Sequence, residues 1–192
     1  MISEELLGLS KINSTDRVGI MLSGGMDSTL LLYLLAKNID NIITFTIPKT
    51  DGAKHYVQPI IDWVNQKLDK QVKKPKFIGN PLIYHANIIN VALKSIETDY
   101  DILYFAGNVY PDDILPGGPT RVRRNHPKHR QPFFDCYKTD IVQAYVRYDI
   151  MDLVELTHTC TEREFGRCNT CWQCRERIWA FSELQIEDKS TR

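Results

Sequence analysis

The feature that most constrains this chain is an apolar strand that runs directly into a glycine-rich turn and then a helix. Residues 17–22 (RVGIML) lead into Ser23-Gly24-Gly25-Met26-Asp27-Ser28, and TLLLYLLAK follows. Behind it the alternation continues. Residues 41–47 (NIITFTI) read as a second strand, 56–70 as an amphipathic helix, 76–78 as a short third strand, 84–98 as a helix and 102–107 (ILYFAG) as another strand. Strands without outward polar positions, each followed by a helical segment, require a parallel sheet covered on both faces. The predicted architecture is therefore α/β, a doubly wound, mostly parallel sheet. In such sheets ligands bind beyond the carboxyl ends of the strands.

The 192 residues suffice for one ordinary domain with a small appendage. Lys plus Arg and Asp plus Glu are 24 each, so the chain as a whole exerts no pull on nucleic acid or anionic membrane. No apolar run approaches the roughly 18–20 residues of a membrane helix, and the opening MISEELLGLSK, read as a helix, lacks a basic leader. A cytoplasmic protein without membrane or direct nucleic-acid partners is expected. Residues 108–132 lose all periodicity and read as a long loop, a candidate lid. A helix over 139–148 with Thr139 at its N-cap, a short strand over 153–156 and a closing helix over 175–184 complete the reading. This divides the chain into a nucleotide-type domain over 1–150 and a metal-binding segment over 151–192.

The strand-to-helix turn is an anion site by construction. Backbone N–H groups and the positive end of a helix dipole converge there, and two glycines allow a phosphate to approach. Ser23 and Ser28 can donate hydroxyl hydrogen bonds, and Asp27 can hold Mg²⁺ against phosphates. A Walker loop is excluded because no Gly-Lys-Ser/Thr follows, and the third glycine of a dinucleotide fingerprint is missing.

Four of the five cysteines fall in the order Cys160-x7-Cys168-x2-Cys171-x2-Cys174, which lets four thiolates meet on one tetrahedral ion. Zn²⁺ is expected. An iron–sulfur cluster is the alternative, although Ile178 stands in the region where a ferredoxin run would continue to a fourth cysteine and proline. Cys136 stands apart and reads as a small buried apolar residue.

The turn SGGMDS resembles the pyrophosphate loop of the PP-loop, N-type ATP pyrophosphatases. With the cysteine spacing it resembles more closely the 7-cyano-7-deazaguanine synthases of queuosine biosynthesis. Gly52-Ala53-Lys54-His55, Tyr110-Pro111-Asp112 and Lys138-Thr139-Asp140-Ile141 fall in the order of three further patches of that family, and Arg175, Arg177, Ile178 and Phe181 follow the cysteines as its helix does. Two departures stand out. Residues 81–87 (PLIYHAN) lack the family's arginine, and Asp113-Ile114 replaces its Cys-Arg.

The resemblance implies an adenine nucleotide alpha hydrolase-like fold and an ATP-dependent C–N ligase. It would convert 7-carboxy-7-deazaguanine, or a related acid, with ammonia into an amide and then a nitrile. It also implies ATP, Mg²⁺ and Zn²⁺ as cofactors, with a homodimer as a compatible assembly. Ser23, Gly24, Gly25, Asp27 and Ser28 would bind pyrophosphate. Lys138 would place a second cation there, and His55 would position ammonia. Asp112 would read the deazapurine edge, and Arg121, Arg123 and Arg124 would bind the acid or the triphosphate. From the residues alone, Lys138 reads equally as a solvated lysine at a helix start, His55 as an exposed histidine, Asp112 as a turn former and residues 121–130 as a solvated basic loop. Two other functions fit the loop: a tRNA-thiolating enzyme, disfavoured by the net charge and the clustered cysteines, and a nucleotide-binding module without catalysis.

Overall fold

The computed structural model describes residues 2–48, 52–79, 88–111, 116–117 and 122–190. Five strands form one parallel sheet in the order β3-β2-β1-β4-β5. They are β1 (Val18–Met21), β2 (Ile42–Thr46), β3 (Lys76–Phe77), β4 (Ile102–Tyr104) and β5 (His129–Arg130). The chain runs outward from β1 to β3 on one side and returns to place β4 against β1 on the other. Connections leaving β1 and β4 therefore diverge, and the crevice between their carboxyl ends is the switch point where such sheets bind ligands.

Helix α1 (Met26–Ala36) packs against β1 between α2 (Ala53–Leu68) and α4 (Lys138–Arg147). Every residue from Ser28 to Ala36 is buried, which is why this segment is apolar on all sides. Each of its buried leucines contributes about 1.5–3 kcal/mol. The opposite face is covered separately: Ala92, Leu93 and Ile96, in and just beyond α3 (Ile88–Ser95), cluster with Phe45, Leu103 and Phe105. Both faces of the sheet are thus buried. The strands show the period of two within this frame, with Val18 and Ile20 on the α1 side and Gly19 facing Phe45 and Leu103. The last helices, α5 (Met151–Glu155) and α6 (Trp172–Glu183), return to the α1 side, where α6 lies on α4.

Several local expectations are corrected. Residues 153–156 belong to the α5 region instead of forming a strand. A four-residue apolar run cannot distinguish the two, and Asp152 in the first turn suits a helix N-terminus. Residues 108–132 are not wholly irregular, because His129–Arg130 forms β5. An edge strand two residues long with half-buried polar side chains leaves no apolar signature. The opening is two 3₁₀ turns, Glu4–Leu7 and Leu9–Lys11, separated at Gly8, whose φ of 63° ends the first. Helix α4 begins one residue before the expected cap: Tyr137 is its N-cap, and the Asp140 carboxylate accepts the Tyr137 N–H at 2.9 Å.

Gly19 is a packing requirement of the central strand. A Cβ there would stand 2.9 Å from Phe45 Cε2 and 3.0 Å from Leu103 Cδ1. Gly19→Val should therefore destabilise the protein by about 1–3 kcal/mol through overpacking, read as a lower urea midpoint with unchanged slope.

Candidate functional site

The phosphate turn closes on itself through its two serines. Ser28 Oγ accepts the Ser23 N–H at 3.1 Å, lies 3.0 Å from Ser23 Oγ and donates to the Gly25 carbonyl at 3.1 Å. Gly24 takes a φ of 77°, a conformation that costs glycine nothing, and its carbonyl accepts the His158 N–H at 2.9 Å. Gly25 is the N-cap of α1 and no side chain caps that end. The first N–H groups of the helix have no intrahelical acceptor, so Met26, Asp27 and Ser28 present donors and a positive dipole end at one point.

Beyond the turn four helices and strands deliver one buried polar cluster. The Lys138 ammonium, at the first residue of α4, is ion-paired with the Asp27 carboxylate of α1 and stands 3.2 Å from Glu176 Oε2 of α6. The other Glu176 oxygen accepts from Asn108 Nδ2 at 2.7 Å, and Asn108 lies just past β4. Side-chain exposure is 5% for Lys138 and 2% for Glu176 but 21% for Asp27, so all three line the cavity and the aspartate is the most exposed of them. Burial opposes the Lys138 charge, yet Asp27 and then Glu176 outweigh it and hold the ammonium above its ordinary range. Burial, reinforced by Asp27, pushes Glu176 up against the pull of Lys138 and Asn108.

A cavity of about 280 Å³ opens over this cluster. Ser23, Gly25, Asp27 and Lys138 form its floor, while Tyr110, Thr159, Cys160 and Gln173 are among its other lining residues. Lys138 is therefore not a solvated lysine. Glu176 and Asn108 were not foreseen from the sequence. A carboxylate two residues after the last cysteine, in a helix, was the visible signal for the first, and an asparagine directly after an apolar strand for the second.

The sulfurs of Cys160, Cys168, Cys171 and Cys174 all lie within 4.8 Å of one another. A tetrahedral zinc site with Zn–S bonds of about 2.3 Å needs sulfurs roughly 3.8 Å apart, so the set needs only a small contraction around an ion. Cys171 N–H already points at Cys168 Sγ, at 3.1 Å. The donor set fits a closed, four-thiolate structural metal and leaves no open coordination position.

This segment is docked by the start of α2. Glu164 is held by His55 Nε2 at 2.7 Å and Lys54 Nζ at 3.8 Å, its carbonyl accepts from the Tyr56 hydroxyl at 3.2 Å, and the Tyr56 ring stacks on His158 with centroids 4.5 Å apart. Gly52 makes this approach feasible. With φ at 73°, a Cβ there would fall 2.4 Å from the Glu164 carbonyl oxygen. His55 is thus engaged with the cysteine segment and does not line the cavity over the phosphate turn.

The remaining expected residues lie elsewhere. Asp112 and Arg121 fall outside the described residues. Arg123 makes a double hydrogen bond to Asp135 at 2.8 and 2.9 Å and lies over the Phe134 ring, and Arg124 lies over Phe105. Lys128 donates to the Glu97 and Tyr100 carbonyls, and Arg130 to the Pro127 carbonyl. The basic stretch is seated along the β4–β5 edge by carbonyls, rings and one carboxylate. Neither Arg123 nor Arg124 lines the phosphate cavity.

Comparison with known proteins agrees with this geometry. The asparagine synthase family matches residues 10–68, the stretch that holds β1, the phosphate turn, α1, β2 and α2. A 7-cyano-7-deazaguanine synthase of Persephonella marina (strain DSM 14350 / EX-H1) is 22% identical, over 88% of this chain and 93% of its own. The chain is thus similar to a 7-cyano-7-deazaguanine synthase over most of its length, and to the asparagine synthase family over the stretch that carries the phosphate turn. Among solved structures, an NMN synthetase of Francisella tularensis superposes with a TM-score of 0.55 at 13% identity, over 98% of this chain and 84% of that one, and shares the fold. An NH3-dependent NAD synthetase of Campylobacter jejuni subsp. jejuni NCTC 11168 gives a TM-score of 0.49 at 14% identity, over 76% and 69% of the two chains. The doubly wound parallel sheet expected from the sequence is present. Among the described residues no helix is long and apolar enough to cross a membrane.

The metal centre carries its own test. Elemental analysis should find one zinc per chain without inorganic sulfide, and Cys171→Ser should lower that content and speed protease cleavage between α5 and α6. A structural zinc contributes on the order of 10 kcal/mol in small sites, so the loss should be plain in the melting temperature as well.

Proposed function

We propose that the protein activates a carboxylate with ATP and aminates it, and that the acid is 7-carboxy-7-deazaguanine or a close relative. The observation that carries this reading is the Lys138 ammonium buried beside Asp27 at the N-terminus of α1, directly over the phosphate turn. A free carboxylate is a poor acyl donor because oxide would have to leave. Attack of its oxygen on the α-phosphorus of ATP gives an acyl adenylate and expels pyrophosphate. Ammonia then adds to the acyl carbon, AMP leaves, and a proton is lost to give the amide. The amide oxygen then attacks the α-phosphorus of a second ATP, which expels a second pyrophosphate and leaves the oxygen adenylated. Loss of AMP and protons from nitrogen then gives the nitrile.

The chain's contribution to these steps is positioning and charge neutralisation. The Ser23 and Ser28 hydroxyls and the first N–H groups of α1 would hold the departing pyrophosphate, and Lys138 would add a positive charge beside it. Asp27, the most exposed of the three charged groups, would ligate Mg²⁺, which neutralises phosphate charge when bound. The four-cysteine segment supplies the facing wall through Thr159 and Cys160, a structural part for its metal. The similarity to a 7-cyano-7-deazaguanine synthase across 88% of the chain supports the acid named here.

Incubation with Mg²⁺-ATP, ammonium and 7-carboxy-7-deazaguanine should yield AMP, pyrophosphate, the amide and the nitrile, read by mass spectrometry. Asp27→Ala should lower pyrophosphate release at least 100-fold in protein that circular dichroism shows to be folded at the assay temperature, with a lower melting temperature because the buried Lys138 ammonium loses one of its two carboxylates. Pyrophosphate release at the parent rate from the Asp27→Ala protein would overturn the assignment of the loop. Turnover with other acids alone would overturn the substrate.

A further inference from the structure

Lys138 and Asp27 cannot remain paired throughout the reaction proposed above. If Asp27 turns to a metal ion and the phosphates arrive, the ammonium loses one of its two carboxylates. A lysine side chain left with no fixed partner regains its rotamer freedom and no longer presents its charge at one place. The cluster contains the part that prevents this. Glu176 is buried, and each of its oxygens is already committed: Oε2 is 3.2 Å from Lys138 Nζ, and Oε1 accepts from Asn108 Nδ2 at 2.7 Å. Two contacts on two oxygens fix the plane of the carboxylate and not only its position. Asn108 is itself fully buried and also donates from Nδ2 to the Val109 carbonyl at 3.2 Å, which holds its amide in this orientation.

The two carboxylates therefore differ in kind. Both line the cavity, but the Asp27 side chain is 21% exposed and the Glu176 side chain only 2%. We infer that Glu176, oriented by Asn108, is the positioning residue that holds the Lys138 ammonium at the pyrophosphate subsite while Asp27 is released to serve the phosphates. The inference rests on the reading of this turn as a pyrophosphate site.

Charge alone gives the opposite expectation from positioning, which makes the idea testable. Glu176→Gln removes a negative charge next to an anion site. A bystander carboxylate, once neutralised, would leave the site more attractive to pyrophosphate. A positioning carboxylate would leave it less so, because Lys138 would collapse onto Asp27 and the new amide N–H₂ would face the donor of Asn108. The expected result for Glu176→Gln is a Kd for Mg²⁺-pyrophosphate at least tenfold higher than the parent's, by calorimetry, with a KM for ATP raised in parallel at unchanged metal content. The double variant Asn108→Asp/Glu176→Gln exchanges acceptor and donor and keeps the total charge, so it should recover most of the lost affinity. Glu176→Asp, which retains the charge but falls short of Nζ by one methylene, should weaken binding too and decides the matter if Glu176→Gln does not fold. Equal or tighter binding by either single variant, or no recovery in the double variant, would overturn the inference while the parent still releases pyrophosphate. A parent protein that neither binds Mg²⁺-pyrophosphate nor releases it from ATP would overturn the underlying reading as well.

Discussion

An ammonium buried between two carboxylates is costly unless every member of the group is paired, and the arrangement of this molecule follows from meeting that condition. Lys138 comes from the first residue of α4, Asp27 from the first turn of α1, Glu176 from the second turn of α6, and Asn108 from the segment just beyond β4. No two of these are close in sequence. They meet because β1 and β4 are neighbours and because α4 packs on both α1 and α6. The polar cluster therefore ties the central strands to the last helix, and the long apolar contacts of α1 set the precision with which it can do so. The Tyr145 hydroxyl strengthens the same junction by donating to the Met26 carbonyl at 2.8 Å, in a position so buried that its own ionisation is pushed well up.

The cysteine segment belongs to this arrangement. Helix α6 begins directly after Cys171 and carries Cys174 and Glu176 on successive turns, so an ion gripping the thiolates also fixes the helix start from which Glu176 reaches Lys138. At its other end the segment is pinned to the phosphate turn itself through the His158 N–H and the Gly24 carbonyl, and to α2 through Glu164. Farther along α6, Arg177 is fully buried. It forms a two-pronged contact with Asp188 at 2.8 and 2.9 Å and donates to the hydroxyls of Thr157 and Thr159. One arginine thus holds together the strand of chain that enters the metal site and the one that leaves α6. A metal with no open coordination position can still govern the active cavity through these connections.

The parts of the fold that were legible in the sequence are those whose signal is local. The parallel sheet could be read because β1 and β4 carry unbroken apolar runs and β2 interrupts its own only with the β-branched Thr44 and Thr46. The phosphate turn could be read because Gly24, Gly25 and the two serines are consecutive or nearly so, and the metal site because its ligands fall within fifteen residues. What escaped was defined by partners distant in the chain. Glu176 resembles any exposed helical glutamate in the sequence, and Lys138, which the family resemblance singled out as a second cation, reads from its own surroundings in the chain equally as a solvated lysine; only the packing of α1 and α6 against α4 separates the two. β5 escaped for a different reason: with one partner strand and two polar residues, nothing in its composition separates it from a loop.

The basic stretch near β5 shows how charge read from sequence differs from charge placed in a fold. Like charges at 123, 124, 128 and 130 repel in an extended chain, yet each has been given a separate partner: the Asp135 carboxylate, the face of Phe105, the carbonyls after α3, and the Pro127 carbonyl. An arginine spread over an aromatic face keeps its charge while losing water, and burial draws the Arg124 pKa below its ordinary value. The same crowding, with burial foremost and His126 next, brings His129 down to about 4, so the imidazole in β5 is neutral at physiological pH and adds no further repulsion at the sheet edge. Positive charge is thereby kept along the β4–β5 edge without destabilising the edge strand. At the floor, the same problem is solved by Asp27 and Glu176. A cavity of about 280 Å³ lies over that floor. Three helices and the segment just past β4 thus converge on a single place, where a positive charge is buried between two negative ones.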